Sequence, residues 1–221
     1  MPVEIRVLAD PARAAGELLA EAARVGGNVA LSGGSTVGAA HGAAAQLAPD
    51  WRRVEVWFGD ERAVPAGDER SNYRLTRVTL LDRLAVEPRA VHRVETELGA
   101  EVAALRYDED LRGVRLALAL NGIGGDGHTA SLFPGSPALA ERERRAVATQ
   151  AGLDPYVERV TMTPPVFAEA ELLVYLVEGA AKADAVQRAF AAEPSQDTPS
   201  SLVRGRSTVA LLDHAAASAL P

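Results

Sequence analysis

The sequence predicts an α/β protein, one domain with a mostly parallel sheet flanked by helices. Three observations predict it. Short apolar runs alternate with Ala/Leu-rich stretches over the whole length. The runs lack an apolar/polar alternation, as expected of strands covered on both faces. Most of them stop at glycine or at a polar turn residue, as a strand leading into a helix does.

In chain order, Pro11–Val25 places Ala14, Leu18, Ala22 and Val25 at helical spacing, with Asp10 as N-cap before Pro11. Asn28–Ser32 is a short strand running into glycines, followed by a helix over Val37–Leu47 made almost wholly of Ala, Gly and His. Val54–Phe58 is a strand rich in Val and aromatics that stops at Gly59–Asp60. A helix over Gly99–Leu111 precedes the strand Val114–Leu120, which ends at Asn121–Gly122. Glu171–Val177 and Ser207–Leu212 are the last strands, with a helix over Gly179–Phe190 between them, bounded by Gly179 and Pro194. Glu193–Ser201 (EPSQDTPSS) reads as a surface loop, not a domain boundary. No internal repeat or long linker divides the chain, so residues 1–221 are expected to form one domain.

Composition narrows the function classes. The 221 residues are 48% hydrophobic and 24% charged, which supplies a real core. There is no cysteine, hence no disulfide, no thiolate metal site and no cysteine nucleophile. The apolar runs fall far short of the roughly 20 residues of a membrane span. Met1–Asp10 mixes Glu4, Arg6 and Asp10 among its apolar residues, unlike a signal peptide. With 30 Asp+Glu against 23 Lys+Arg, a net charge of -7, the chain lacks the basic face that nucleic acid requires. A soluble cytoplasmic protein is expected, a monomer or small homo-oligomer, holding any anionic ligand in a local basic pocket.

Parallel α/β sheets bind ligands beyond the carboxyl ends of their strands, and three such ends carry chemistry. Ser32–Gly33–Gly34–Ser35–Thr36 offers close backbone approach, two hydroxyls and a helix start, a setting for phosphate; a tight turn with a Ser/Thr cap explains the same residues. Asp60–Glu61–Arg62, continued by Ser71–Asn72–Tyr73–Arg74, can orient a polyhydroxylated anion or form a solvated loop of internal ion pairs. Gly122–Ile123–Gly124–Gly125–Asp126–Gly127–His128 surrounds an Asp-x-His with glycines. Its backbone N–H groups suit an oxyanion, His128 suits proton transfer, and Asp126 can fix its tautomer. His41, His92 and His214 lack such a setting and read as structural or solvent-exposed. No HExxH, paired-His metal spacing or Gly-x-Ser-x-Gly elbow is present.

Gly124–Gly125–Asp126–Gly127–His128–Thr129–Ala130–Ser131–Leu132–Phe133–Pro134–Gly135 closely resembles the signature of 6-phosphogluconolactonases. Ser32–Thr36, Phe58–Pro65 and Ser71–Tyr73 resemble further family segments. So do Arg159–Thr163, the Gly179–Lys182 turn and Pro199–Ser201, so the likeness spans nearly the whole chain. It implies the Rossmann-like sugar-phosphate isomerase fold shared with glucosamine-6-phosphate deaminases and ribose-5-phosphate isomerases. It also implies cofactor-free hydrolysis of 6-phosphoglucono-δ-lactone in the oxidative pentose phosphate pathway, with no metal. On that reading His128 and Asp126 are catalytic. Gly33, Gly34, Ser35, Thr36, Asp60, Glu61, Arg62, Ser71, Asn72, Arg74, Gly124, Gly125, Gly127, Arg159 and Lys182 contact substrate, the phosphate falling to Ser35 and Thr36 with Arg74 or Arg159 and Lys182. Two positions depart from the family pattern, which usually has Pro at Gly125 and Leu or a similar residue at Asn121. The alternative is a glucosamine-6-phosphate deaminase/isomerase. Its relatives typically follow the His with Ile-Ala-Phe-Asn-Glu, whereas Thr-Ala-Ser-Leu-Phe follows here. A sugar-phosphate-sensing domain of a regulator would need an added DNA-binding segment.

Overall fold

The computed structural model describes residues 3–48, 50–152 and 156–221; Met1 and Pro2 of the amino-terminal stretch lie outside the described residues. Ten strands are seen among them: β1 (Glu4–Val7), β2 (Gly27–Leu31), β3 (Val54–Phe58), β4 (Asp60–Arg62), β5 (Ala90–Val91), β6 (Leu116–Asn121), β7 (Ala146–Thr149), β8 (Arg159–Met162), β9 (Leu172–Val177) and β10 (Ser207–Leu212). Helices are α1 (Pro11–Val25), α2 (Ser35–Leu47), α3 (Asn72–Thr79), α4 (Ala100–Asp110), α5 (Pro164–Glu169), α6 (Ala183–Phe190) and α7 (Pro199–Leu202). Seven strands form a parallel sheet in the order β1-β10-β9-β6-β2-β3-β5, and β4-β8-β7 form a small antiparallel sheet.

The central strands are apolar throughout because both of their faces are covered. Successive residues point to opposite faces, yet Leu118, Ala119 and Leu120 of β6 are all buried, as are Leu173 to Val177 of β9. The edge strand β1 shows the opposite pattern: all four residues are exposed, and Glu4 pairs with Arg6 at 2.7 Å. Charge on an exposed edge discourages pairing with another chain, and it also hid β1 from an apolar-run reading. The α1 start is as expected, the Asp10 carboxylate accepting from Arg13 N at 2.8 Å.

Elsewhere the structure differs from expectation. Strand β6 begins two residues later than Val114, because Val114 N donates back to Leu111 O and closes a turn. The Gly179–Phe190 helix is split into a 3-10 turn, Ala180–Lys182, and α6. Glu193–Ser201 is not all surface loop: its end enters α7, with Thr198, Pro199, Ser200 and Ser201 buried. Asp60–Arg62, read as a strand-end loop, is a strand of the small sheet.

Chain order places the site. From β2 the chain moves outward through β3 to β5, then returns to lay β6 on the other side of β2. The loops after β2 and β6 therefore diverge from neighbouring strands, with Leu31 in register with Leu120. Such a switch point opens a crevice at the carboxyl ends of the strands.

His41 in α2 is fully buried, with Nδ1 3.0 Å from Thr79 Oγ1, and burial pushes its pKa down to about 3. The unfolded chain, with an ordinary His pKa of about 6.5, takes up the proton first on acidification. Stability attributable to His41 is thus present above about pH 6.5 and is lost as pH falls toward its folded value. Between pH 6.5 and pH 4.5 the loss is expected to be about 2–3 kcal/mol. Urea titrations of the wild type and His41→Gln at the two pH values check this: the variant should lose less stability than the wild type by that amount, and equal losses would contradict it.

Candidate active site

The cleft at the switch point, about 260 Å³, is lined by Gly33, Gly34, Ser35 and Thr36 from the loop after β2. Asp60 and Arg62 come from β4, Gly124 and His128 from the loop after β6, and Lys182 from the turn after β9. Eight expected contact residues and the expected catalytic His128, scattered over 150 positions, thus face one cavity.

The expected catalytic pair lies on the loop after β6. Asp126 Oδ1 lies 2.6 Å from His128 Nδ1 and also accepts from His128 N at 3.1 Å. Partial burial pushes the Asp126 pKa up, but the hydrogen bond and charge of His128 outweigh it and hold the carboxyl below its ordinary value. Asp126 therefore remains an anion, able to fix the Nδ1 proton and leave Nε2 as the basic nitrogen. Phe133 stacks obliquely on the imidazole, centroids 4.8 Å apart. Glycine at 124 is a steric requirement: a Cβ there would lie 2.0 Å from His128 Nδ1 and 2.6 Å from Asp126 Oδ1.

A buried polar layer supports this loop. Ser32 Oγ donates to Asn121 Oδ1 at 3.0 Å, and Asn121 Nδ2 donates to Thr129 Oγ1 at 3.2 Å. Thr129 Oγ1 in turn donates to Gly122 O at 3.0 Å. Asn121 thus ties the two diverging loops together. Ala130 adopts a left-handed φ of 50°, and the next residue, Ser131, donates to Asp60 Oδ2 at 2.6 Å. An αL alanine costs free energy, and the Ser131 latch holds the corner in place.

The acidic segment divides into roles that the sequence alone did not separate. Asp60 lines the cleft while its carboxylate is held by Ser131 and by Asn72 Nδ2 at 3.0 Å. Glu61 is buried away from the cleft, where burial pushes its pKa up against four donors: Arg62 N, Ser71 Oγ, Asn72 N and Tyr73 N. It anchors the α3 start, where Ser71 is N-cap and accepts from Arg74 N at 3.1 Å. Asn72 lies over Gly33, whose Cβ would meet Asn72 Oδ1 at 1.9 Å. These contacts place Glu61, Ser71 and Asn72 beneath the cleft wall.

Arg62 and Arg159 face each other across the β4–β8 pair. Arg62 lines the cleft and donates to Arg70 O at 2.6 Å, whereas Arg159 is only 3% exposed and is not among the lining residues. Burial, then the neighbouring Arg62, lowers the Arg159 pKa, with Asp60 and Glu61 opposing. Arg74 is also absent from the lining; its charge acts on Asp68. Gly125 and Gly127 lie outside the lining. One lining carboxylate, Glu178, escaped the sequence reading, because a lone Glu after a strand carries no motif. Of the remaining histidines, His41 is buried, His92 stacks on Trp57 with centroids 3.8 Å apart, and His214 is exposed. Among the described residues no group of three or more His, Cys, Asp or Glu is arranged to hold a metal ion, and no helix is long and apolar enough to cross a membrane.

Fold and cleft define the class: an open parallel α/β protein with a His–Asp pair and a helix N-terminus converging on its switch point. A family profile described as glucosamine-6-phosphate isomerases/6-phosphogluconolactonase matches residues 6–211, and the chain belongs to this family. A 6-phosphogluconolactonase of Streptomyces coelicolor is 34% identical over 91% of this chain and 85% of its own length. That of Mycobacterium leprae is 36% identical over 78% of this chain and 75% of its own. A solved structure of 6-phosphogluconolactonase from Trypanosoma cruzi superposes with a TM-score of 0.86 at 26% identity, covering 100% of this chain and 98% of that one.

Gly124→Ala is expected to drive the imidazole off Asp126 and lower kcat about 100-fold, the scale of an ångström-sized misplacement, while the far-ultraviolet circular dichroism spectrum stays unchanged. A folded variant with wild-type kcat would contradict the steric role of Gly124.

Proposed function

We propose that the chain hydrolyses 6-phospho-D-glucono-1,5-lactone to 6-phospho-D-gluconate, the second step of the oxidative pentose phosphate pathway, with His128 activating the water. Family membership supports the reaction. The mechanism rests on one observation above others, the 2.6 Å contact of Asp126, itself off the lining, with His128, which lines a cleft that also holds Arg62, Lys182 and the α2 start. Residues 1–221 act on this reading as one catalytic domain on a small sugar-phosphate lactone.

With its Nδ1 proton held by Asp126, His128 presents Nε2 to a water above the lactone carbonyl. As the water oxygen bonds to C1, Nε2 takes its proton and the carbonyl π pair becomes an oxyanion. Backbone N–H groups of the glycine loop, or the Arg62 guanidinium, stabilise that charge. Collapse re-forms the carbonyl and breaks the bond from C1 to the ring oxygen, which receives the proton from Nε2. The product acid then ionises. Water is the only co-reactant, and no electrons are exchanged with a cofactor.

The phosphate, with about two negative charges near neutrality, docks at the α2 start. Ser35, Thr36 and Lys182 share the lining of one cleft, and a helix start with hydroxyls and a cation suits a phosphate. Arg62 is the nearer member of the guanidinium pair, with Arg159 reinforcing the positive field from below.

His128→Ala should lower kcat by about two to four decades at nearly constant KM, the usual contribution of a positioned base. Rates are measured on freshly generated lactone and corrected for spontaneous opening; a folded variant with near-wild-type kcat would remove His128 from the mechanism.

Lys182→Ala should raise KM about tenfold or more, as expected for a charged contact of about 1.5–3 kcal/mol. Unphosphorylated gluconolactone should be a poor substrate for both proteins. Equal wild-type turnover of gluconolactone and its 6-phosphate would show that the phosphate is not read.

A further inference from the structure

The loop carrying Asp126 and His128 is held from behind by the last quarter of the chain. Three consecutive carbonyls accept hydrogen bonds from it. Arg188 Nη2 donates to Gly125 O at 3.1 Å, Arg188 Nη1 to Asp126 O at 3.4 Å, and Ser200 N to Gly127 O at 2.9 Å. The same Nη1 lies 3.5 Å from Thr198 Oγ1, in the buried segment that leads into α7.

The other backbone hydrogen bonds of residues 124–127 lie within the loop. Inside the loop, Gly124 N donates to His128 O and Gly127 N to Gly124 O, both at 2.9 Å. Gly125 is exposed, and a Cβ built on it would meet nothing closer than Ala181 O at 3.9 Å. Glycine at 125 leaves the backbone before Asp126 free to rotate, whereas Gly127 is buried against Thr198. A planar guanidinium bridging two successive carbonyls fixes the orientation of the peptide between Gly125 and Asp126. That orientation sets where the Asp126 side chain leaves the backbone, and so whether its carboxylate meets His128 Nδ1.

We propose that Arg188 is a positioning residue for the Asp126–His128 pair, its guanidinium clamping the Gly125 and Asp126 carbonyls so that the carboxylate stays on Nδ1. The catalytic consequence rests on the reading that this pair activates water. Arg188 is not on the cleft lining; it acts through the loop. Because it projects from α6, directly after the turn bearing Lys182, the same short segment supplies a cleft cation at one end and the loop clamp at the other.

Arg188→Met keeps most of the side-chain length and removes every donor. In steady-state assays it is expected to lower kcat about 10- to 100-fold with KM within twofold, since no substrate contact is lost. In proton NMR, the downfield Nδ1–H resonance of His128, assigned by its absence from His128→Ala, should move upfield or broaden as the bond to Asp126 loosens. Should Arg188→Met fail to fold, Arg188→Lys, which keeps the charge without the fork, is expected to show the same pattern with a 3- to 10-fold loss of kcat. A folded variant with wild-type kcat and an unmoved resonance overturns the proposal, as does a loss confined to KM. If His128→Ala itself keeps wild-type kcat, the water-activation reading fails, and the resonance alone still decides whether Arg188 positions the pair.

Discussion

Two neighbouring parallel strands, β2 and β6, end side by side while their following segments turn away from each other, and the cleft exists because of that divergence. Parallel strands expose backbone N–H groups, helix starts and loops at one common end of the sheet. The gap between the diverging segments would be a site of weakness if it were merely open. A chain of buried hydrogen bonds from Ser32 through Asn121 and Thr129 to Gly122 closes its floor. Buried polar groups are costly when unpaired and rigidifying when satisfied. This layer therefore fixes the spacing between the proposed phosphate loop and the loop bearing His128.

Around that floor, charge is managed locally. A chain with net charge -7 must attract a phosphorylated ligand against its own overall field. The arrangement engages Asp60 and Glu61 in hydrogen bonds, while the lining carries two cations beside Asp60 and Glu178. Glu61 is occupied by the start of α3, and Asp60 by Ser131 and Asn72. Arg62 and Lys182 remain on the lining. The same acidic residues keep two guanidinium groups side by side on β4 and β8, where burial and mutual repulsion would otherwise disfavour the pair. Electrostatic positioning and fold stability are thus served by one cluster.

Local pattern made much of the frame legible. Strands β3 and β10 and helix α1 fall where apolar runs and the Asp10–Pro11 signal place them, because burial on both faces and a helix cap are written in adjacent residues. The His loop was legible for a similar reason: an Asp-x-His set among glycines is written in adjacent residues, and Gly124 has no room for a Cβ. Strands β1, β4, β7 and β8 were not read. They are short, exposed at an edge, or paired in a small sheet whose partners lie about 100 residues apart. Their character comes from pairing, which a single segment does not carry.

The sequence by itself determined the α/β class, the main strands and helices, and the chemical kinds of residue at three strand ends. Those are consequences of short-range periodicity, turn chemistry and composition. Only the tertiary structure decided which of those residues share the cleft. It put Lys182 on the lining and Arg159 beneath it, turned Glu61 and Ser71 into supports, and brought Arg188 and Ser200 behind a loop more than 60 residues earlier. A motif records what a side chain can do. Whether it faces ligand, backbone or another side chain depends on strand order and register, which are fixed by long-range packing.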